Sequence, residues 1–441
     1  MKKILGRAVK CLGAAVLLLL TLTLLKAGLW GRWHFGEVEP QPARIELTWE
    51  GAMADGTLSP EEIAVHYAPE IHAAVNVLLS DSGRGDFLAA ADFDGDWQAI
   101  NNWEHMTDYP LLATVYYSVQ ETDTHYFAGY YFYHPRDDAE IWLDRHENDF
   151  EGIMLAIPKA ADGFAPPIAM YTQGHGYVPF YFDADWAMTE GSRRGGGLLL
   201  DGDRPVVYIA PNGTLSNAGH SVESAAGHTA YWAVGHSGVR YYHGGEAREP
   251  VTFNGGFADN PCSYALASLD VLWDKRSGPY GDSGLFAHYS AFRGENWGEN
   301  SANPAWAWRN KTIYGFGGSF LSDPAWTFNR AVEGIGLSSN YQRNPYADWL
   351  VTVEQVTLPE GADDFTLRLS CDVWVLSDPA WWVFTPQGDG TYAVEIAEAG
   401  RTSLWAAAWS SAQWKMEVID GQGNIIPGAK ALWSAKRITD N

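Results

Sequence analysis

Two patterns of apolar positions run along the chain. Near the start, "CLGAAVLLLLTLTLL" is apolar without interruption from Cys11 to Leu25, preceded by Lys2, Lys3, Arg7 and Lys10 and followed by Lys26, Trp30 and Trp33. Such a run suits a signal-peptide core, yet no clean small-x-small cleavage site follows, and with its flanks through Trp30 it approaches the ~20 residues that span a bilayer. Residues 1–33 are therefore expected to form a membrane-spanning signal anchor, the alternative being secretion after cleavage. The basic residues before the run place the N-terminus in the cytoplasm and the rest on the extracytoplasmic side.

Beyond it the period changes. After a Pro/Glu-rich linker (34–62), "SPEEIAVHYAPEI" carries Ser59 and Glu62 in capping-box spacing, with Pro60 at the first helical position and Pro69 as a stop, which predicts one short helix. From residue 111 onward, aromatic and β-branched runs take over. "LLATVYYSVQ" and "HYFAGYYFYH" flank "ETDT" as a hairpin, and "FEGIMLAIP", "PIAMYTQ", "RPVVYIAP" and "GVRYYHG" read as further strands. No long amphipathic repeat interrupts them, so the expected fold is mainly β: an antiparallel β-sandwich with long loops and few short helices over residues 63–340. "DWLVTVEQVTL", "DFTLRLSCDVWVL", "WWVFTP", "TYAVEIAE" and "WKMEVIDGQGNII" predict a β-rich accessory domain over 341–441.

Composition sharpens this picture. Tryptophan (21), tyrosine (22) and glycine (46) abound, as strands joined by turns require, although carbohydrate-binding surfaces also expose aromatic rings. A net charge of −25 excludes nucleic acid as a partner over most of the surface and favours cations. Past the N-terminal segment only Cys262 and Cys371 remain, which allows one disulfide or two buried thiols.

Charge is concentrated in "PRDDAEIWLDRHENDFEG", residues 135–152, around His146. On a strand starting near Asp149, alternation puts Asp149, Glu151, Ile153, Leu155 and Ile157 on one face and Phe150 on the other. Carboxylates drawn toward a sheet interior need protons, basic partners or a metal. A histidine with three carboxylates suits an oxygen-rich site for Ca²⁺, Mg²⁺ or Mn²⁺, and Asp138, His146, Asp149 and Glu151 are the expected ligands. The competing reading pairs the acids with Arg136 and Arg145.

The run "YYFYHPRDD…HENDFEG" resembles the central motif of the necrosis-inducing, Nep-like protein family, an aromatic strand and Asp-bearing loop leading to Gly-His-Arg-His-Asp-Trp-Glu. The match places the motif's first His on His146, its Asp on Asp149, its Trp on Phe150, its Glu on Glu151 and the loop Asp on Asp138; its Arg and second His are replaced by Glu147 and Asn148. The resemblance implies a divalent cation held in a β-sandwich. "HYAPEI", "HENDFEG", "PIAMYTQGHG" and "RPVVYIAPNGT", over residues 64–220, are also similar to the vacuolar-protein-sorting-sixty-two-like proteins; His220 is displaced from that family's Gly-Ser-His position, where Gly213, Thr214 and Leu215 stand.

Other constellations are weaker. Asp92, Asp94 and Asp96 alternate as in a calcium loop, but Trp97 stands where the EF-hand needs Gly and Glu104 falls one place late, so a turn with Asx hydrogen bonds is expected and a second Ca²⁺ site is the alternative. His175, with Tyr171 nearby, is a candidate for lining a ligand site, and Glu151 or His175 would be the base if the metal activates water. His228, His236 and His243 lack ligand spacing, and Gly195 to Gly197 reads as a flexible turn. Three functions follow: a cation-dependent binder of carbohydrate or lipid headgroup, preferred because no second catalytic constellation is legible; a metal-dependent hydrolase of envelope glycans or phosphoesters; and a structural envelope protein.

Overall fold

The computed structural model describes residues 12–22, 37–77, 80–138, 145–174, 177–213, 219–226, 236–252, 257–276, 285–288, 291–293, 303–308, 319–347, 349–362, 364–371, 380–387, 389–396 and 414–437. The strands run in chain order as β1 (Glu70–Asn76), β2 (Thr114–Thr122), β3 (His125–Asp137), β4 (His146–Pro158), β5 (Ala169–Thr172), β6 (Pro179–Tyr181), β7 (Ala187–Met188), β8 (Arg193–Gly196), β9 (Leu200–Asp201), β10 (Arg204–Ile209), β11 (Val222–Ser224), β12 (His236–His243) and β13 (Pro261–Ser268). Each strand expected from the aromatic and β-branched runs is present, and the molecule is mainly β.

The arrangement differs from an antiparallel sandwich. One 13-stranded sheet follows the path β11-β10-β1-β12-β13-β2-β3-β4-β5-β6-β8, with β9 added on β10 and the strand Tyr341–Arg343 on β2, and it is mixed: β1 runs parallel to β10, β13 parallel to both β12 and β2, and β6 parallel to β8. β3 and β4 are buried along almost their whole length on both faces, with Tyr130, Tyr131, Phe132, Ile153, Met154 and Leu155 at 0% exposure, so simple alternation could not reveal how the sheet bends. It curls until its first edge meets the other end. Val222 of β11 donates its N–H to Gln173 O (3.4 Å), and Thr172 Oγ1 of β5 donates to Val222 O (2.6 Å).

Local chemistry explains the elements around the sheet. The helix Pro60–His66 starts on a reciprocal capping box, Ser59 N–H to Glu62 Oε2 (2.8 Å) and Glu62 N–H to Ser59 Oγ (3.2 Å), and buries Ile63 and Ala64. Gly195 and Gly196 form strand β8 instead of a flexible turn; a Cβ on Gly195 would lie 2.4 Å from the Tyr181 ring, so only glycine permits that approach. Strands Trp349–Thr357, Thr366–Cys371, Ala380–Val383, Tyr392–Ile396, Trp414–Ile419 and Lys430–Arg437 follow, around a separate small core that includes Val351, Val353, Leu367, Leu369 and Val418. Cys262 is a buried free thiol.

The membrane-spanning anchor is corrected. Residues 12–22 are helical, and no described helix is long and apolar enough to cross a membrane. The flanks that extended the sequence reading lie outside the described residues.

Candidate functional site

The hairpin of β3 and β4 carries the acidic stretch. Their antiparallel register pairs Phe132 with Glu151, His134 with Asp149, Arg136 with Glu147 and Asp137 with His146. A regular strand would put His146 and Asp149 on opposite faces. Asn148 lies between them at φ 60°, a left-handed conformation that breaks the pleat, and its side chain holds it there: Oδ1 accepts from Tyr133 Oη (2.6 Å) and Nδ2 donates to Ala99 O (2.9 Å). Phe150 turns the other way into an aromatic core, 5.9 Å from Tyr131 and 5.7 Å from Trp308 and Phe292 between ring centroids.

The four expected ligands do not converge as one set. Asp138 is 1% exposed and paired with two arginines, Arg136 Nη2 at 2.7 Å and Arg145 Nε at 3.1 Å, as the competing sequence reading had it. Its neighbour Asp137 faces His146 instead, with Nε2 and Oδ2 3.5 Å apart. Asp149 is bound to a residue distant in sequence, His220, whose Nδ1 lies 2.6 Å from Asp149 Oδ2 and whose Nε2 lies 3.1 Å from Asp86 Oδ1. Glu151 is buried at 5% exposure on the next pleat, His175 lies outside the described residues, and Tyr171 is fully enclosed, its hydroxyl donating to Phe320 O (2.6 Å). Tyr171 is thus a core residue and not a ligand contact.

The result is a buried network of three histidines and three aspartates: Asp86, His134, Asp137, His146, Asp149 and His220. The sheet's curl creates it, because His220 lies two residues before the edge strand β11 that closes against β5. His220 sits at φ 50°, a conformation that costs a non-glycine residue on the order of 1 kcal/mol and is held by the two carboxylates. Asp86 is fixed in turn by the N–H groups of Asn76 and Asn212, each at 2.6 Å.

Electrostatics assigns the protons. Burial alone would strip His220, but its bonds to Asp149 and Asp86 win and raise its pKa to about 10; Asp149 correspondingly stays ionised, its pKa lowered despite burial by His220 and His146. His134 stacks on His220 with ring centroids 3.6 Å apart and planes 6° from parallel. Burial and the neighbouring imidazolium push His134 well below its usual value, so it is neutral. Burial raises Asp137, while His146 is raised against its own burial to about 9 by Asp137 and Asp149, so this pair holds its proton tightly. Guanidinium and imidazolium groups therefore balance much of the acidic stretch.

A different group satisfies a tighter geometric test. Among the described residues, Asp94, Asp96 and His105 bring one ligand atom each within 4.8 Å of one another. The expected Asx bonds are there as well, from Asp96 N–H to Asp94 Oδ1 (3.1 Å) and Gln98 N–H to Asp96 Oδ1 (2.6 Å), with His105 Nδ1 2.6 Å from Asp94 Oδ2.

Comparison with known proteins adds a likeness of shape. No protein-family model and no curated protein matches the chain. A solved structure described as "NLPPya in complex with glucosamine" matches at a TM-score of 0.27 and 15% identity, covering 56% of this chain and 87% of that one. Another, the necrosis and ethylene inducing protein 2 from the causal agent of cocoa's witches' broom disease, matches at 0.25 and 16%, covering 43% and 75%. The likeness is to Nep-like proteins. Nothing in these matches bears on the vacuolar-sorting resemblance, and at such low scores the site is read from its own residues.

Missed by sequence reasoning were Asp86 and His134. His134 pairs with Asp149 in the register of β3 with β4, which the "ETDT" turn, joining β2 to β3, does not set. Asp86 carried no signal, because its place depends on the sheet's curl.

Proposed function

We propose that this is a binding protein that engages a carbohydrate or lipid headgroup through a divalent cation held at the end of β3 and β4 by Asp137, His146 and Asp149. The observation that supports it is the concentration of six ionisable side chains in one buried network, an arrangement that apolar packing would replace at little or no cost to stability. The donor set, carboxylate oxygen with imidazole and without thiolate, suits Ca²⁺, Mg²⁺ or Mn²⁺. Asp137 takes the role first expected of Asp138, which its arginines occupy. A cation there would supply the positive charge that protonated His146 now provides.

A second reading places the cation at Asp94, Asp96 and His105, favoured by their mutual approach within 4.8 Å. One experiment separates the two: elemental mass spectrometry of the full chain purified without chelator and titrated with Ca²⁺, Mg²⁺ and Mn²⁺, beside Asp149→Asn and Asp94→Asn. Loss of one equivalent in Asp149→Asn with retention in Asp94→Asn supports the β3–β4 site; the reverse moves the cation to the second group. No metal in any form refutes both.

A further inference from the structure

Residues 37–47 form neither helix nor strand and none of them is buried, yet they strap the ends of four neighbouring strands. Gln41 Oε1 accepts from Ser263 N–H of β13 (3.1 Å), and Pro42 O accepts from Tyr242 Oη of β12 (2.7 Å). Ile45 N–H donates to His243 O at the end of β12 (3.0 Å). Ion pairs of both polarities carry the strap onward. Its Arg44 reaches Glu70 at the start of β1 and Asp201 of β9 (2.6 Å), while Arg204 of β10 reaches back to Glu46 (2.9 and 3.0 Å) and to Ile45 O (2.9 Å).

What holds the strap differs from what holds the sheet beneath it. β1 pairs with β10 and β12, and β12 with β13, over fully buried side chains that include Ile71, Val239, Tyr241 and Tyr264. The strap buries nothing apolar and grips through polar contacts at the surface, where the side chains of Glu46 and Asp201 are 67% and 58% exposed. Exposed pairs are worth little and weaken with salt, so the strap can open at far less cost than the sheet. It lies at the Glu70 end of β1; the opposite end, Asn76, is the one that holds Asp86 of the buried network.

We propose that residues 37–47 are an electrostatic clasp, closed on the folded sheet at low ionic strength and released by salt. Release leaves β1, β10, β12 and β13 paired. It takes away the wall that Glu37, Val38, Glu39 and Gln41 give to the cleft they share with residues 84–87 and 246–252. The cation centre on β3 and β4, beyond the other end of β1, is untouched.

The test is amide hydrogen exchange of the full chain, read by mass spectrometry at Ile45 and across β12. Raising the salt from about 0.1 M to 1 M cuts the Debye length from ~10 Å to ~3 Å. Exchange at Ile45 should then rise roughly fivefold while β12 is unchanged. Arg44→Gln combined with Glu46→Gln, at positions outside the core, should give the fast rate already at low salt and lose the salt response. Arg368→Gln, which breaks the pair with Glu417 between the strands Thr366–Cys371 and Trp414–Ile419, should leave Ile45 as it was. An Ile45 rate that ignores salt, that keeps step with β12, or whose salt response survives in the double variant would each overturn the proposal.

Discussion

Neighbouring residues on β4 have opposite duties. Asp149 faces the histidines and Phe150 faces Tyr116, Tyr131, Tyr133, Phe292 and Trp308 at 2% exposure. Phe150→Ala leaves a cavity among rings that cannot close over it, so urea unfolding should show a loss of roughly 3–5 kcal/mol with cation content unchanged. A fully stable variant would refute the packing. This contrast was legible in the sequence, because alternation around "NDFEG" separates the two side chains whatever the partners are. The fate of Asp138 was not. Adjacent aspartates look equivalent in a string, and only the register that pairs Asp137 with His146 and brings Arg136 and Arg145 to Asp138 tells them apart.

At the scale of elements, the helix Pro324–Ala331 shows how a cap can conflict with burial. Its N-cap Asp323 accepts from Trp326 N–H (3.1 Å) and Tyr341 Oη (2.9 Å) through Oδ1, while burial raises its pKa to about 6. The unfolded value is near 3.9, so the folded state binds the proton more tightly, and keeping the carboxylate ionised costs stability increasingly as pH rises from about 4 to 6 and fully above. Asp323→Asn keeps an acceptor without the charge. It should stabilise the protein by up to about 3 kcal/mol at pH 8 and by little at pH 4, read from urea midpoints at both. Short elements of this kind were partly readable: Ser59, Pro60 and Glu62 announced their helix from local spacing alone.

Across the whole molecule, strands were legible and their order was not. Aromatic, β-branched runs mark a strand by local propensity, but the parallel neighbours β1 and β10 or β13 and β2 are separated by more than a hundred residues, and nothing local encodes that pairing. The curl they produce brings His220 onto Asp149, so the network should register in global stability. His220 and His146 rise to about 10 and 9 from an unfolded value near 6.5; their contribution is fully present below about pH 6.5 and is lost as pH climbs through 9 to 10. Urea midpoints should therefore fall between pH 7 and 10, and His220→Gln should flatten that fall. An identical slope in the variant would remove His220 from the balance.

The tie between Thr172 and Val222 has a consequence for how the protein comes into being. Asp149 and His220 stand 71 residues apart, and the chain must emerge past Val222 before the sheet's two ends can meet. Until that closure Asp149 lacks its imidazolium and His220 both of its carboxylates, so no nascent or truncated form ending before residue 220 displays the completed network. The hairpin that carries the three proposed cation ligands is thus made first, and the partner that orients Asp149 arrives only with the later edge of the sheet.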